Sequence, residues 1–164
     1  MKRRALDELA ECWGNGDAVR HFIGTHRFPL VDGSQVTFVW LGHADGVSLR
    51  HWVYGLESAT HLTRIDNTDI WCLTLEIPPS SRVEYKFEVH RHGHSEWIED
   101  PLNPARALDP FGANSVLQGE GYVVPDWTQK DPLARAGTVD PFTVHSKVWG
   151  ERGGHLYLPA RFRR

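Results

Sequence analysis

The 164-residue sequence contains two cysteines, one methionine and no apolar run near the roughly 18 residues that a membrane-spanning helix needs. Cys12 and Cys72 stand far apart, without CxxC or other ligand spacing, so both read as reduced core thiols rather than as a disulfide framework. An excess of charge of one sign is also missing: 18 basic against 21 acidic residues give a formal charge of −3. That leaves no electrostatic footprint for nucleic acid or for an anionic membrane. Lys2, Arg3 and Arg4 imitate the start of a secretory signal, but Asp7, Glu8 and Glu11 interrupt the apolar stretch that would have to follow. A nucleophile elbow, G-x-S-x-G, is absent; Gly46-Val47-Ser48-Leu49-Arg50 fails at its last position. No catalytic residue, metal ligand or cofactor is therefore assigned, and the chain reads as a soluble cytoplasmic protein.

Hydrophobic content of 40% and charged content of 24% are those of a globular domain long enough to bury a core unaided. Ten histidines make its charge responsive to pH below about 7. Leu6, Leu9, Ala10 and Trp13 recur at helical spacing, and Gly14-Asn15-Gly16 ends that helix. Asp17 is the expected N-cap of a second short helix reaching Ile23 and stopped by Gly24. From Gln35 the period becomes two. Val36, Phe38 and Trp40 share a face, as do Val47, Leu49 and Val53, then Trp71, Leu73, Leu75 and Ile77, then Val83, Tyr85, Phe87 and Val89. Four half-buried strands with no helix between them predict a mainly β, antiparallel sandwich preceded by two short helices. A proline-punctuated loop through Asp100, Pro104 and Pro110 should precede a closing strand at Ser115 to Leu117, with another near Tyr122.

Several of these residues resemble a known family. Val83-Glu84-Tyr85-Lys86-Phe87, Trp97 and Asp100-Pro101-Leu102-Asn103-Pro104 look like the N-terminal domain of enterochelin (ferric enterobactin) esterases. Thr37-Phe38-Val39-Trp40 and Thr68-Asp69-Ile70-Trp71 fit the same pattern, and Tyr157-Leu158-Pro159 resembles the opening of the α/β-hydrolase domain that follows there. The resemblance implies an immunoglobulin-like, early-set sandwich. It also implies a whole protein that hydrolyses a ferric catecholate tri-ester through its later domain. Its partners would be that hydrolase domain, the siderophore held by it, and a second copy through a dimer contact. The wider superfamily includes glycogen- and starch-binding modules, in which residues matching Lys86 and Trp97 help hold a glucan. Their further stacking tryptophan has no counterpart in Tyr54-Gly55-Leu56-Glu57-Ser58. The alternatives are thus a carbohydrate-binding module, or the accessory domain of an esterase acting on another ester.

In domain terms, 1–26 are helices packed on the sandwich, 27–124 the sandwich, 125–142 a linker, and 143–164 the start of a truncated hydrolase domain. The strand-like segments 143–148 and 155–158 lack a sheet to join, and 145–164 are expected to be poorly ordered or held by a neighbouring molecule. Candidate substrate-binding residues are Arg50, Trp52, Lys86 and Trp97, because indoles beside cations stack on catechols or sugars. For Trp52 burial beneath the N-terminal helices is the preferred reading. His90, His92 and His94 alternate like ligands on a strand, but Gly93 favours a hairpin tip. Asp100 and Asn103 are expected to make Asx turns. Trp13, Trp40 and Trp71 are assigned to the core, and Trp127 to pinning the linker.

Overall fold

A computed structural model describes residues 5–53, 55, 57–110, 112–129 and 131–162. The chain forms two compact units, one reaching to Val123 and one beginning at Val124. The first holds α1 (Ala5–Cys12), α2 (Gly16–Thr25), β1 (Leu30–Asp32), β2 (Gln35–Leu41), β3 (Gly46–His51), β4 (Ala59–His61) and β5 (Thr63–Arg64). It continues with β6 (Ile70–Glu76), β7 (Arg82–Arg91), β8 (His94–Ile98), β9 (Arg106–Asp109) and β10 (Gly112–Gln118). The second holds a 3-10 turn (Asp126–Thr128), β11 (Thr138–Ser146) and β12 (Gly150–Leu158).

The strands of the first unit form two antiparallel sheets, ordered β1-β2-β6-β5 and β4-β3-β7-β10-β9, with β8 also on β7. They form the antiparallel immunoglobulin-like sandwich that the strand pattern and the resemblance imply. Period-two alternation is what builds it. Val36, Phe38 and Trp40 of β2 meet Val47 and Leu49 of β3 and Tyr85, Phe87 and Val89 of β7 in one buried cluster. The Tyr85 ring stands edge-on to Phe38 at 4.9 Å and to Phe87 at 5.8 Å between centroids.

A second buried cluster decides where the helices go. Leu9, Phe22 and Phe28 pack on Val39 and Ile70, which point out of the opposite face of β2 and β6. The helices therefore roof the outer face of the β1-β2-β6-β5 sheet. Trp52 is not beneath them: it belongs to the other sheet and is 63% exposed. Gly14, at φ 96°, ends the first helical segment. The cap of α2 is Asn15, whose Oδ1 accepts from the Asp17 and Ala18 amides at 3.2 Å each. Asp17, the expected cap, lies in the first turn and pairs with Arg20.

Two further expectations change. The proline-rich stretch contains β9, which pairs with β10 from Asp109↔Gly112 to Arg106↔Ser115, and Tyr122 sits in a turn closed by its amide on Gly119 O. The tail segments expected to be orphaned pair with each other, from Thr138↔Leu158 to Ser146↔Gly150. Ser146 Oγ accepts from the Val148 and Trp149 amides and Gly150 takes φ 69°, so a local turn closes the hairpin. Its first strand begins at Thr138, inside the stretch read as linker. Trp127 lies in the 3-10 turn and is exposed. Among the described residues no helix is long and apolar enough to cross a membrane.

Candidate ligand-binding groove

Because β3 turns Val47, Leu49 and His51 inward, its next residues, Arg50 and Trp52, face outward. The same parity sends Glu84, Lys86 and Glu88 of β7 outward, opposite Trp97 of β8 through the Glu88↔Trp97 register. On this outer face of the second sheet lies an open groove of about 700 Å³, lined by Trp52, Lys86, Trp97, Arg82, Glu84, Asp109 and Asn114 among others. Trp97 is 49% exposed, so two indoles present open surface to one depression. The chain is steered there at the end of β3 by His51. Its Nδ1 accepts from the Val53 amide at 3.2 Å, while its Nε2 is buried without a partner among the described residues, and burial lowers its pKa.

One end of the groove is polar and internally paired. Arg82 donates to Glu84 Oε1 at 2.8 Å, and the Asn114 amide donates to Glu84 Oε2 at 3.0 Å and to Asp109 Oδ2 at 3.3 Å. The hydrogen bonds from Arg82 and then Asn114 hold the Glu84 carboxyl below its ordinary value. Lys86 has no hydrogen-bond or ion-pair partner among the described residues, so its ammonium is available to a ligand. Two cations against two carboxylates leave the lining balanced in formal charge. The arrangement can stack a flat ring on an indole and hydrogen-bond its hydroxyls from Lys86 and the polar end.

Of the residues singled out from sequence, Trp52, Lys86 and Trp97 line this groove together. Arg50 does not line it. Its Nε donates to Glu88 Oε2 at 2.7 Å, and its guanidinium carbon lies over the Trp97 ring, 5.0 Å from the centroid. Arg82, Glu84, Asp109 and Asn114 were not singled out, because two of them depend on a β9–β10 hairpin that the prolines disguise. Tyr54 and Leu56 of the turn compared with the glucan modules lie outside the described residues.

Asp100 and Asn103 make the expected Asx turns, to the Leu102 and Ala105 amides at 2.8 and 2.9 Å. They also close a buried network beneath the groove. Tyr85 Oη donates to Asp100 Oδ2 at 2.6 Å, Asn103 donates to Tyr85 Oη at 3.0 Å, and the Asp100 amide donates to Ser115 Oγ at 2.7 Å. Burial raises the Asp100 carboxyl, against the opposing hydrogen bonds from Tyr85 and Leu102, and burial raises the Tyr85 hydroxyl as well. His92 and Gly93, at φ 50° and 77°, form the two-residue tip of the β7–β8 hairpin. Among the described residues no group of three or more histidine, cysteine or acidic side chains is placed to hold a metal ion.

The fold and groove define an immunoglobulin-like sandwich whose second sheet presents two exposed indoles on its outer face. No family model and no curated protein matches the chain. Solved structures share its fold. The ferric enterobactin esterase of Salmonella typhimurium superposes with a TM-score of 0.54 at 18% identity, over 75% of this chain and 40% of the esterase. The Shigella flexneri enterobactin esterase, in the presence of 2,3-dihydroxy-N-benzoyl-serine, gives 0.51 at 19% identity over 75% and 39%. In the presence of enterobactin it gives 0.50 at 20% over 73% and 38%. The chain thus spans about two-fifths of the length of these esterases.

Proposed function

We propose that this chain is the N-terminal, non-catalytic domain of a siderophore esterase. In this reading ester bonds of a ferric catecholate tri-ester are cleaved in the cytoplasm by an α/β-hydrolase domain later in the same polypeptide, and β11–β12 is where that domain begins. The observation that carries the reading is the sandwich shared with ferric enterobactin esterases over 40% of their length. The groove fits a supporting role in substrate capture. Catecholate rings are flat, electron-rich and anionic, and two open indoles beside the unpaired Lys86 ammonium suit all three properties.

The test is equilibrium dialysis of ferric enterobactin and of 2,3-dihydroxybenzoyl-serine against the chain. Saturable binding that is lost in Lys86→Ala and Trp97→Ala supports the reading; no binding of either compound to the unmodified chain counts against any role of the groove in substrate capture. A second reading, a carbohydrate-binding module, is favoured by one observation. Trp52 offers a second stacking surface despite the altered 54–58 turn, and the charge-balanced lining would accept a neutral polyol. Retention of the chain on β-cyclodextrin without affinity for either catecholate would select it.

A further inference from the structure

Trp97 sits half exposed on a five-residue strand that, among the described residues, pairs only with β7. An indole so placed would exchange rotamers unless something fixed it, and an unfixed indole makes a poor stacking wall. Two groups restrain it. The Glu88 carboxylate stands directly opposite in register, almost wholly buried, and the indole N–H helps hold it ionised. Arg50 binds that same carboxylate through Nε and Nη2 and lays its guanidinium over the ring. Burial pushes the Glu88 carboxyl up, but the hydrogen bonds from Arg50 and Trp97 outweigh it and leave the group below its ordinary value. The third neighbour is His90, whose Nε2 stands 3.8 Å from the same oxygen. Arg50, Glu88 and Trp97 thus interact with one another, and of the three Trp97 alone lines the groove.

Resting on the groove's ring-binding role, we propose that Arg50 and Glu88 are positioning residues that make Trp97 selective for an electron-rich ring. Neither lines the groove. Glu88 fixes the plane of the indole through its N–H. Arg50 covers the rear face with a cation and draws electron density away from the open face. Stacking a catecholate there is strengthened, because its π cloud meets a depleted surface; a saturated sugar ring, which presents C–H groups seeking electron density, gains nothing. The selectivity is thus set from behind the ring by a group the ligand never meets.

The experiment compares the unmodified chain with Arg50→Met, Arg50→Lys and Glu88→Ala, using 2,3-dihydroxybenzoyl-serine and β-cyclodextrin as probes. The Trp97 indole ¹⁵N–¹H resonance, assigned by its loss in Trp97→Phe, reports on the ring itself. In Arg50→Met and Glu88→Ala this resonance should move and its hydrogen exchange accelerate by about tenfold, as a partly buried hydrogen bond is lost. Arg50→Met should weaken the catecholate by about fivefold and leave β-cyclodextrin unchanged or tighter; Arg50→Lys, a cation without the fork, should recover part of the loss. An unmoved resonance overturns the positioning role, and equal weakening of both probes overturns the selectivity. Binding of neither probe by the unmodified chain ends the ring-binding reading and the selectivity with it. The indole signal then decides alone whether Arg50 and Glu88 hold Trp97.

Discussion

The sandwich and the β11–β12 hairpin are built from similar strand chemistry and differ in what covers it. β2 carries apolar residues of both parities; Val36, Phe38 and Trp40 are buried between the sheets, while Val39 is buried under the helices. The hairpin has the same two-sided pattern. Its register puts Val139 with Tyr157 on one face and Phe142, Val144 and Leu156 on the other, yet these five side chains remain 45–61% exposed. A strand that is apolar on both faces is the pattern of a sheet covered on both sides. β2 has received its two layers and the hairpin has not. An alternating strand such as β7 asks for one layer only, and leaves Glu84 and Lys86 on its outer face.

The contrast can be broken most directly by matched truncations. Phe87→Ala, inside the sandwich, should cost about 3–5 kcal/mol in urea unfolding, while Phe142→Ala in the hairpin should cost less than about 1 kcal/mol. Similar losses at both positions would show that the hairpin belongs to the same cooperative core. Next in size is Tyr85→Phe, which keeps the ring but strips a donor from Asp100 and an acceptor from Asn103. The expected loss is about 1–3 kcal/mol, and a neutral result would mean that the buried network contributes shape rather than energy.

A third measurement uses pH. Burial raises the Asp100 carboxyl in the folded state, so the native protein holds that proton more tightly than the unfolded chain does. Its contribution is fully present below the ordinary carboxylate pKa and is lost as pH rises through the raised folded value. Wild type should therefore gain stability relative to Asp100→Asn as pH falls from neutrality toward about 4, and parallel pH profiles would refute this. The smallest effect is expected on removing residues 124–164, which should shift the sandwich's thermal midpoint by less than about 3 °C. A larger drop would mean that the second unit supports the first.

These outcomes bear on what was legible beforehand. The four principal strands announced themselves because apolar residues recur at every second position along one face of each, even where the other face is partly apolar too, as at Val39 and Ile70. β9 did not: Arg106-Ala107-Leu108-Asp109 is a short edge strand between prolines, and with its residues exposed or only half-buried no face is obliged to be apolar. With β9 hidden, Asp109 and Asn114 could not be placed in the groove. Lys86 and Trp97 were found through the resemblance, and Trp52 through parity alone. Its assignment beneath the helices overlooked a signal that was present, the outward-facing Val39 and Ile70, which mark the sheet the helices cover. Arg50 was oriented correctly, but a side chain's direction does not say whether a cation meets a ligand or a neighbouring acid. That answer lay in Glu88, one diagonal step across the register.

The helical roof has a bearing on solubility. Val36-Thr37-Phe38-Val39-Trp40-Leu41 is an uncharged, proline-free run of strong strand formers, and Ile70-Trp71-Cys72-Leu73-Thr74-Leu75 lies directly against it in register. Two such segments side by side carry the composition of self-templating cross-β cores. Their inner faces are sealed by the opposing sheet, and α1 and α2 seal the outer face through Leu9 and Phe22. Twenty-odd residues that look like an appendage are therefore the chain's protection against its own most adhesive strands. Fraying of α1 would uncover a nucleus for aggregation well before the sandwich itself came apart.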